Sequence, residues 1–493
     1  MSLLTTAQSD LEKVCFVLFL YFIKSIQKIY LLFDIDIEKK KRGTFMQFKF
    51  SNYNHMLESS AFDLILYNFR TQNSIKIPNK HPAKAFLQNR ESFHAKKNKW
   101  FDILLKKEFI VDEEFDEASW CILKHRETIY GNDTLFVEIL PTNDCNFRCS
   151  YCFERHTPNF IDMESETKII RFLEQNIPKC KKFRLAWFGG EPLLCIDSVL
   201  RISSVANSIC KNHRIPMYGE MSTNGYLLTV DIFEQLVSNR IVEYQICLDG
   251  PEECHNRTRP HKTNIDSYQR IYTNLVNIKN KSKYKSFKLA IRCNITPSIE
   301  KYLDKYLATL SECFSHDPRF FVLFQCVRNW GGDCILPEHI VDNESRIYKK
   351  WYAKASELGL CSKDINMFTP FVGYCRACRK NGYVINYDAS IHKCSLAMDS
   401  KYSEIDQIGY IDLSGKIHID DKKVARWLVE PKVKDSCRVC TLFPICMGGT
   451  CFFSKNIKNK ESCNKYLLSI IDNNILNWDK LGLIPLIGGG KNE

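Results

Sequence analysis

The chain has 493 residues, of which 69 are basic and 57 acidic, giving a formal net charge of +12. Hydrophobic residues make up 45% and charged residues 26%, which excludes collagen, coiled coil and disorder as the main architecture. At ~150 residues per domain, the length predicts roughly two to four domains, and the scattered lysines predict no nucleic-acid partner. A chain this long buries its own core without disulfides, so its 23 cysteines indicate metal ligands.

Residues 1–45 contain an apolar run from Cys15 to Ile23 that Lys24 interrupts. A membrane helix needs ~20 mostly apolar residues, and a signal peptide needs a cleavage site of small residues, so the run fits neither. We interpret these residues as an extension with no essential role, ahead of a fresh start at Met46. A peripheral helix and a membrane span remain the alternatives. We expect a cytoplasmic protein without a membrane partner.

Residues 46–130 predict a small mixed domain. Phe62 to Phe69 has the pattern of a strand, Trp100 to Glu108 that of a helix, and an acidic run follows from Asp112 to Glu117. No catalytic constellation is present in this segment, which favours a packing domain or a docking domain for a peptide.

Residues 131–340 alternate between apolar runs and amphipathic segments, which is typical of parallel βα units. The predicted strands are 135–140, 184–188, 218–221, 242–248, 288–294 and 320–327. The predicted helices are 164–175, 196–210, 231–237, 268–278 and 301–310. Right-handed crossovers curve such units into a barrel, so we predict an α/β fold with a partial (β/α)6 TIM-like barrel.

Residues 341–493 have a different character, because helical patterns give way to stretches rich in cysteine, glycine and turns. A short strand is predicted at Tyr383 to Asn386. The apolar periodicity is too irregular to explain an ordered core, so we expect this domain to be held together by metal.

Three cysteines follow the first barrel strand in the segment PTNDCNFRCSYCF. Cys145, Cys149 and Cys152 are close enough in sequence to direct three thiolates toward one centre. Three ligands are one short of the four that fill a four-iron cluster, which leaves one iron open for a substrate or cofactor. A zinc site completed by His156 is the alternative.

This triplet, with the aromatic Tyr151 before its third cysteine, resembles the signature of the radical S-adenosylmethionine (SAM) enzymes. The resemblance implies one [4Fe-4S] cluster whose open iron binds SAM. It also implies that an electron from a flavodoxin- or ferredoxin-like donor cleaves SAM to a 5′-deoxyadenosyl radical. That radical takes a hydrogen atom from the substrate, while the protein supplies orientation and a dry cavity.

Further motifs stand at the ends of later strands, where the catalytic face of a βα barrel lies. The resemblance assigns their side chains to the cofactor, although turn and capping roles are the plain alternative for each motif alone. The candidate cofactor-binding residues are Tyr151, Gly189, Gly190, Glu191, Ser222, Asn224, Asp249 and Arg292. Catalytic residues beyond the cluster site are not assigned by the sequence.

Eight cysteines in the last third resemble the SPASM extension of radical SAM enzymes, which holds auxiliary clusters. The resemblance implies two auxiliary [4Fe-4S] clusters, with Cys375 or Cys378 as a possible bystander and zinc knuckles as the alternative. Ala389 stands where the pattern has glycine, and the gap from Cys446 to Cys451 is one residue too long. The first cluster is assigned to Cys375, Cys378, Cys394 and Cys451, and the second to Cys437, Cys440, Cys446 and Cys463.

Enzymes with this domain pair mostly modify peptides or proteins. The resemblance therefore implies a maturase that introduces a thioether or carbon–carbon crosslink into a ribosomally made peptide. An anaerobic sulfatase-maturating enzyme, which makes formylglycine, is the alternative. A non-catalytic iron–sulfur or zinc scaffold, or an electron carrier, is a third possibility, but it needs no cofactor pocket at the strand ends.

Overall fold

The computed structural model describes residues 47–88, 99–263, 266–329, 336–362, 369–371, 375–398, 406–428, 433–449, 463 and 466–487. Residues 1–45, and with them the expected N-terminal extension, lie outside the described residues.

The N-terminal part contains two small sheets. Strands β2 (Asn54–Glu58), β3 (Leu64–Asn68) and β4 (Ser74–Ile77) form an antiparallel sheet, and β1 (Phe48–Phe50) pairs with β5 (Ile110–Asp112). The helices here are Pro82–Gln88, Lys99–Lys106 and Glu117–Tyr130. The last of these was not predicted from the sequence, and it begins where Asp116 accepts a hydrogen bond from the Ser119 N–H.

Six consecutive parallel strands form the centre of the molecule. They pair in chain order, so the predicted partial (β/α)6 barrel is confirmed. The strands are β6 (Thr134–Leu140), β7 (Lys182–Trp187), β8 (Met217–Thr223), β9 (Ile241–Cys247), β10 (Lys288–Ile295) and β11 (Phe320–Cys326). The helices that follow them are Met163–Asn176, Ile196–His213, Val230–Ser238, Glu252–Thr258, Ser267–Lys281, Pro297–Glu300 and Leu303–Phe314.

The sheet does not stop at the barrel. Strand β12 (Gly382–Asn386) pairs in parallel with β6, and β13 (Ser390–His392), β14 (Gln407–Ile411) and β15 (Ile417–Ile419) continue it in antiparallel pairing. One ten-stranded sheet therefore crosses the domain boundary predicted near residue 340.

Two tyrosines satisfy the free edge of β11. Strand edges carry N–H groups that need acceptors, and the Tyr352 hydroxyl accepts from the Phe324 N–H at 3.2 Å. The Tyr348 hydroxyl accepts from the Cys326 N–H at 3.1 Å. Both tyrosines lie on the helix Glu344–Glu357, one turn apart, so one helix face covers this edge of β11.

The expectation that helices give way after residue 341 was wrong. The helices Glu344–Glu357 and Tyr466–Lys480 run for 14 and 15 residues. They bury tyrosine and tryptophan side chains such as Tyr348, Trp351 and Trp478. Shorter helices are Asp421–Trp427, Asp435–Arg438 and Phe443–Cys446.

The two ends of the described chain meet. The Lys76 N–H of β4 donates to the Pro485 carbonyl at 2.8 Å, and the Ile487 N–H donates back to the Lys76 carbonyl at 2.9 Å. The Lys76 ammonium group lies 2.8 Å from Asp479. The Tyr53 hydroxyl donates to the Arg438 carbonyl, so the N-terminal sheets pack directly on the cysteine-rich region.

Among the described residues, one helical segment, 192–213, has the length and hydropathy of a membrane span. It is the crossover between β7 and β8, and it buries Val199, Ile202 and Ala206 in the main core. Core packing of a βαβ unit explains its apolar character.

Candidate active site

The cysteine triplet lies in a loop that the rest of the barrel holds by its backbone. The loop follows β6, and its Arg148 and Ser150 N–H groups donate to the Pro260 and Thr258 carbonyls, both at 2.9 Å. Phe147 is fully buried and contacts the rings of Tyr226 and His261 edge-on. The loop is therefore fixed to the segment after β9, although its own sequence is short and irregular.

Cys145, Cys149 and Cys152 line one cavity at the carboxyl ends of the strands. Burial raises the pKa of Cys149 to about 11, and it raises the pKa values of the other two thiols further. Metal ligation needs thiolates, so loading this site releases protons. Both ring nitrogens of His156, on the same cavity, are buried and lack a hydrogen-bond partner among the described residues.

The two glycines after β7 let the backbone approach the cysteine loop. The Gly190 N–H donates to the Thr142 carbonyl, and the Glu191 N–H donates to the Asp144 carbonyl at 2.9 Å. Gly189 has φ +110°, a conformation that favours glycine. The glycine pair thus positions the loop that carries Cys145, in addition to lining the cavity.

The Glu191 carboxylate is fully buried and has protein partners on both oxygens. It accepts from Thr223 Oγ1 at 2.7 Å, from the Asn224 N–H at 2.8 Å and from the Leu193 N–H at 3.0 Å. It ties the end of β7 to the end of β8 behind the cavity wall. Direct contact of Glu191 with a cofactor stays a prediction.

Asn224 lies on the cavity and joins it to the cysteine loop. Its side-chain amide donates to Asn146 Oδ1 at 2.7 Å, and its own N–H is held by Glu191. Ser222, two residues earlier on β8, lines the same cavity. Both residues therefore line the cavity. Hydrogen bonds from their side chains to a cofactor stay a prediction.

A second buried network involves the ends of β9 and β10. Tyr151 donates its hydroxyl hydrogen to the fully buried Asp249 carboxylate, and Arg259 donates to the Tyr151 oxygen at 2.9 Å. The Asn294 N–H donates to Asp249 Oδ1 at 2.7 Å. The buried Asp249 carboxylate therefore fixes the Tyr151 hydroxyl by a hydrogen bond. The Tyr151 side chain lines the cavity.

Arg292 lines the cavity with its guanidinium, and Nε donates to Asn294 Oδ1 at 2.9 Å. Its hydrogen-bond partner in the described chain is therefore an amide oxygen. Cavity residues that were not assigned from the sequence include Gln245, Cys247, Gln325 and Arg328. Gln245 and Cys247 alternate along β9, with every second side chain facing inward, and this alternation was the signal available for the strand residues.

The second cysteine group is described in part. Cys375 and Cys394 line a neighbouring cavity, and a hydrogen bond from Cys378 lowers the pKa of Cys375. The buried Asp406 carboxylate accepts from the Cys394 N–H at 2.9 Å and from His392, which fixes the Cys394 turn. Cys437, Cys440 and Cys446 lie near one another in sequence around two short helices, Cys463 is exposed, and Cys451 lies outside the described residues.

The turn before Cys394 has the conformation that its glycine-based pattern requires. Ala389 has φ +63°, in the left-handed region, and is fully buried. The strain expected from alanine at this position is therefore present. The two auxiliary clusters and the SPASM assignment stay predictions.

The first triplet fits a four-iron cluster better than a single ion. Three thiols face one cavity, a glycine pair supports their loop, and the lining around them is mostly polar, with Glu154 as its one carboxylate among the described residues. Within the described ranges, no three His, Cys, Asp or Glu side chains stand close enough to hold one metal ion. A four-iron cluster separates its ligands more widely, because each binds a different iron.

Comparisons with known proteins agree with this geometry. Residues 139–285 match the model of the Radical SAM superfamily. A cysteine-type anaerobic sulfatase-maturating enzyme of Clostridium perfringens is 22% identical over 337 residues, covering 62% of this chain and 86% of its own. A radical SAM cyclopropyl synthase of Paramaledivibacter caminithermalis is 26% identical over 175 residues, covering 32% and 35%.

A solved structure, native anSMEcpe with bound AdoMet and Cp18Cys peptide, has the same fold. Its TM-score is 0.51 at 18% identity, covering 71% of this chain and 98% of that one. The recognition made from the cysteine triplet and the α/β fold class are confirmed. The chain is an enzyme with a radical SAM domain, and that family binds SAM and a [4Fe-4S] cluster.

Proposed function

We propose that this enzyme, whose residues 139–285 form a radical SAM domain, oxidises a cysteine or serine side chain of a peptide or protein substrate. The observation that carries the proposal is the junction of two cavities. The cofactor cavity and a larger cavity inside the barrel share Phe188, Ser222 and Gln245 on their walls. A substrate side chain in the barrel cavity would therefore lie next to the cavity that the three cysteines line.

Sequence relatives favour this substrate class. Cysteine-type anaerobic sulfatase-maturating enzymes from two Clostridium species align with 62% of this chain. A formylglycine-producing oxidation is therefore our first candidate, ahead of the crosslink that the sequence alone favoured. Because identity is 22–23%, the substrate itself has to be established on this chain.

Cys145, Cys149 and Cys152 would hold the catalytic cluster, and when bound, this cluster and SAM supply hydrogen-atom abstraction. The chain's own residues prepare the site. The Glu191 carboxylate and the glycine pair fix the cysteine loop against β8. Arg292, Asn224 and Ser222 offer polar contacts at the cavity wall, and the sealed edge of β11 limits the entry of water.

Electron transfer completes the proposal. Beyond the hydrogen atom, the oxidation has to remove one electron and one proton from the substrate, and with a cysteine substrate hydrolysis of the resulting thioaldehyde would release hydrogen sulfide. The eight C-terminal cysteines would hold two auxiliary clusters, which would supply the electron acceptor. Cys375 and Cys394 line a cavity that shares Glu138, Arg376 and Ser395 with the barrel cavity, which supports this route. A flavodoxin- or ferredoxin-like protein would deliver the first electron.

Crosslinking of a ribosomally made peptide is the second candidate. A radical SAM cyclopropyl synthase among the relatives supports carbon–carbon bond formation rather than oxidation to an aldehyde. The N-terminal sheet also favours this candidate, because β2 is an edge strand there and an extended peptide can add to such an edge. In this case residues 46–130 would dock the peptide.

One experiment separates the two candidates. Anaerobically reconstituted enzyme is given SAM, dithionite and a peptide library that carries cysteine or serine in a sulfatase-like context or in precursor-like context. Mass spectrometry and hydrazide trapping detect an aldehyde, whereas a crosslink loses two hydrogens and traps no hydrazide. SAM cleavage without any change in the peptides would refute both candidates.

A further inference from the structure

The barrel cavity has a volume of about 530 Å³, enough for a substrate side chain with its flanking backbone. Its wall is unusually charged for a barrel interior. The charged lining residues are Glu138, Arg184, Glu220, Glu243, Lys288 and Arg376. The first five come from barrel strands, and Arg376 comes from the cysteine-rich region, one residue after Cys375.

Strand register places Glu138 below the cavity lined by the three cysteines. Glu138 on β6 stands beside Ala186 on β7, and Ala186 stands beside Glu220 on β8. Ser222, two residues after Glu220, already lines the cofactor cavity. Two residues of strand span ~6.6 Å, so Glu138 lies one side-chain layer beneath the floor of the cofactor cavity.

Among the described residues no hydrogen bond reaches Oε1 of Glu138, although the Ser395 side chain lies close enough to the carboxyl group to counter part of the rise that burial causes in its pKa. The residue is 8% exposed, and Oε1 is the buried atom without a partner. Oε2 lies 3.5 Å from Arg376 Nη1, and Arg376 also pairs with Glu220. A buried carboxylate oxygen without a donor is costly, so the site calls for a ligand that supplies one.

The charges around Glu138 select the kind of donor. Three acidic side chains, Glu138, Glu220 and Glu243, face three basic ones, Arg184, Lys288 and Arg376. The six charges therefore sum to zero. A cation placed beside Glu138 would be repelled by the Arg376 guanidinium. A carboxylate at the same place would be repelled by the unpaired oxygen of Glu138. An uncharged donor, such as a hydroxyl or thiol, meets neither repulsion.

We infer that Glu138 is a specificity-determining residue, whose Oε1 accepts a hydrogen bond from the hydroxyl or thiol of the substrate side chain inside the barrel. This inference rests on the proposed function and names the contact that selects its substrate. Arg376 is a positioning residue, because it holds the other carboxylate oxygen and brings the cysteine-rich region to the same wall.

The test measures binding separately from chemistry. A fluorescent peptide that the wild type modifies is prepared with serine or with alanine at the reacting position. Its affinity is measured by anisotropy with SAM present and the cluster oxidised, so nothing reacts. For the wild type we expect the serine peptide to bind about 10- to 100-fold more tightly, the range for one hydrogen bond to a charged group.

Two variants remove the acceptor. Glu138→Gln keeps the shape and can turn its amide oxygen to Arg376, whereas Glu138→Leu removes all polarity, so the leucine variant decides if the two differ. Both should bind the serine and alanine peptides within about threefold of each other. The control, Glu166→Gln, changes another buried carboxylate that pairs with an arginine, Arg201, outside the cavity, and should keep the wild-type ratio.

Each outcome decides something. If the wild type modifies peptides and both Glu138 variants keep its serine preference, the inference is overturned and the proposed function stands. A wild-type preference for alanine overturns it as well. If the wild type cleaves SAM but modifies no cysteine or serine peptide, the proposed function falls and this inference falls with it.

Discussion

Gly190 lies so close to Asp144 that a Cβ atom added at position 190 would stand 2.0 Å from the Asp144 carbonyl oxygen. Asp144 directly precedes Cys145 in the cysteine loop. The backbone of the glycine motif and the backbone of the metal-binding loop are therefore in contact. A side chain at position 190 has to displace that loop, because the opposing atoms are main chain.

Gly190→Ala should lower SAM cleavage by ~100-fold or more, since a misplacement of about 1 Å can have that effect on catalysis. Iron retained per chain should fall with it. Cleavage is measured as 5′-deoxyadenosine, and iron by metal analysis after anaerobic reconstitution. Gly482→Ala is the control, because nothing lies within 4 Å of its added Cβ and its cost is limited to the backbone strain of a residue with φ +68° far from the cysteine loop. Normal iron and cleavage in Gly190→Ala would contradict the contact.

Ala389→Gly should stabilise the protein by about 1 kcal/mol, because it relieves a left-handed alanine. The change is read from the denaturation midpoint. The contrasting variant is Ala118→Gly, in the helix Glu117–Tyr130, which should destabilise by about 1 kcal/mol. A drop in midpoint for both variants would contradict the strain assigned to Ala389.

Tyr348→Phe and Tyr352→Phe should each cost about 1–3 kcal/mol of stability, because each leaves a buried strand N–H without its acceptor. Hydrogen exchange should accelerate at Cys326 in the first variant and at Phe324 in the second. Tyr218→Phe, on an exposed side chain of β8, serves as the control. Unchanged exchange along β11 would mean that the hydroxyls do not protect this edge.

Acid should destabilise the fold through buried histidines. Burial lowers the pKa of His255 well below its usual value near 6.5, and burial together with Arg148 lowers the pKa of His156 to about 4. Below pH 6.5 the unfolded chain takes up protons that the folded chain refuses, so stability is lost as pH falls. His255→Gln should flatten this loss by up to ~1.4 kcal/mol per pH unit. An identical slope in the variant would show that His255 protonates in the fold.

Iron content separates one cluster from three. After anaerobic reconstitution we expect about 12 iron atoms per chain if both auxiliary clusters form, and about 4 if only the triplet binds. Replacing Cys145, Cys149 and Cys152 with alanine should remove about 4 and abolish SAM cleavage. Replacing Cys375 and Cys394 should lower iron while SAM cleavage persists. Stoichiometric zinc in place of iron would contradict the assignment.

The barrel and the position of its site followed from local sequence patterns. Strand periodicity, turn residues and the spacing of Cys145, Cys149 and Cys152 act over a few residues, so they are visible in one sequence. The triplet with its later motifs also sufficed for the family. Non-local partners were not visible in the same way. Glu138 and Arg376 are 238 residues apart, and no spacing rule connects them.

The missed elements have physical reasons as well. The helix Glu344–Glu357 buries Tyr348, Trp351 and Tyr352, whose polar atoms obscure the apolar stripe. The motif order located Glu191, but only the fold shows that its carboxylate binds Thr223 and Asn224. The sulfatase-maturating candidate was the alternative in the sequence, and the relatives raised it to first place, since substrate choice depends on contacts that a single sequence does not display.

The pairing of Lys76 with Pro485 sets the order in which the protein matures on the ribosome. At ~5–20 residues per second, the ~400 residues between these partners take roughly 20–80 s to synthesise. During that interval β4 of the nascent N-terminal sheet has an unprotected edge, which is open to chaperones and to neighbouring chains on the same messenger RNA. Slowing elongation should therefore increase aggregation of this protein more than that of a barrel whose ends do not pair.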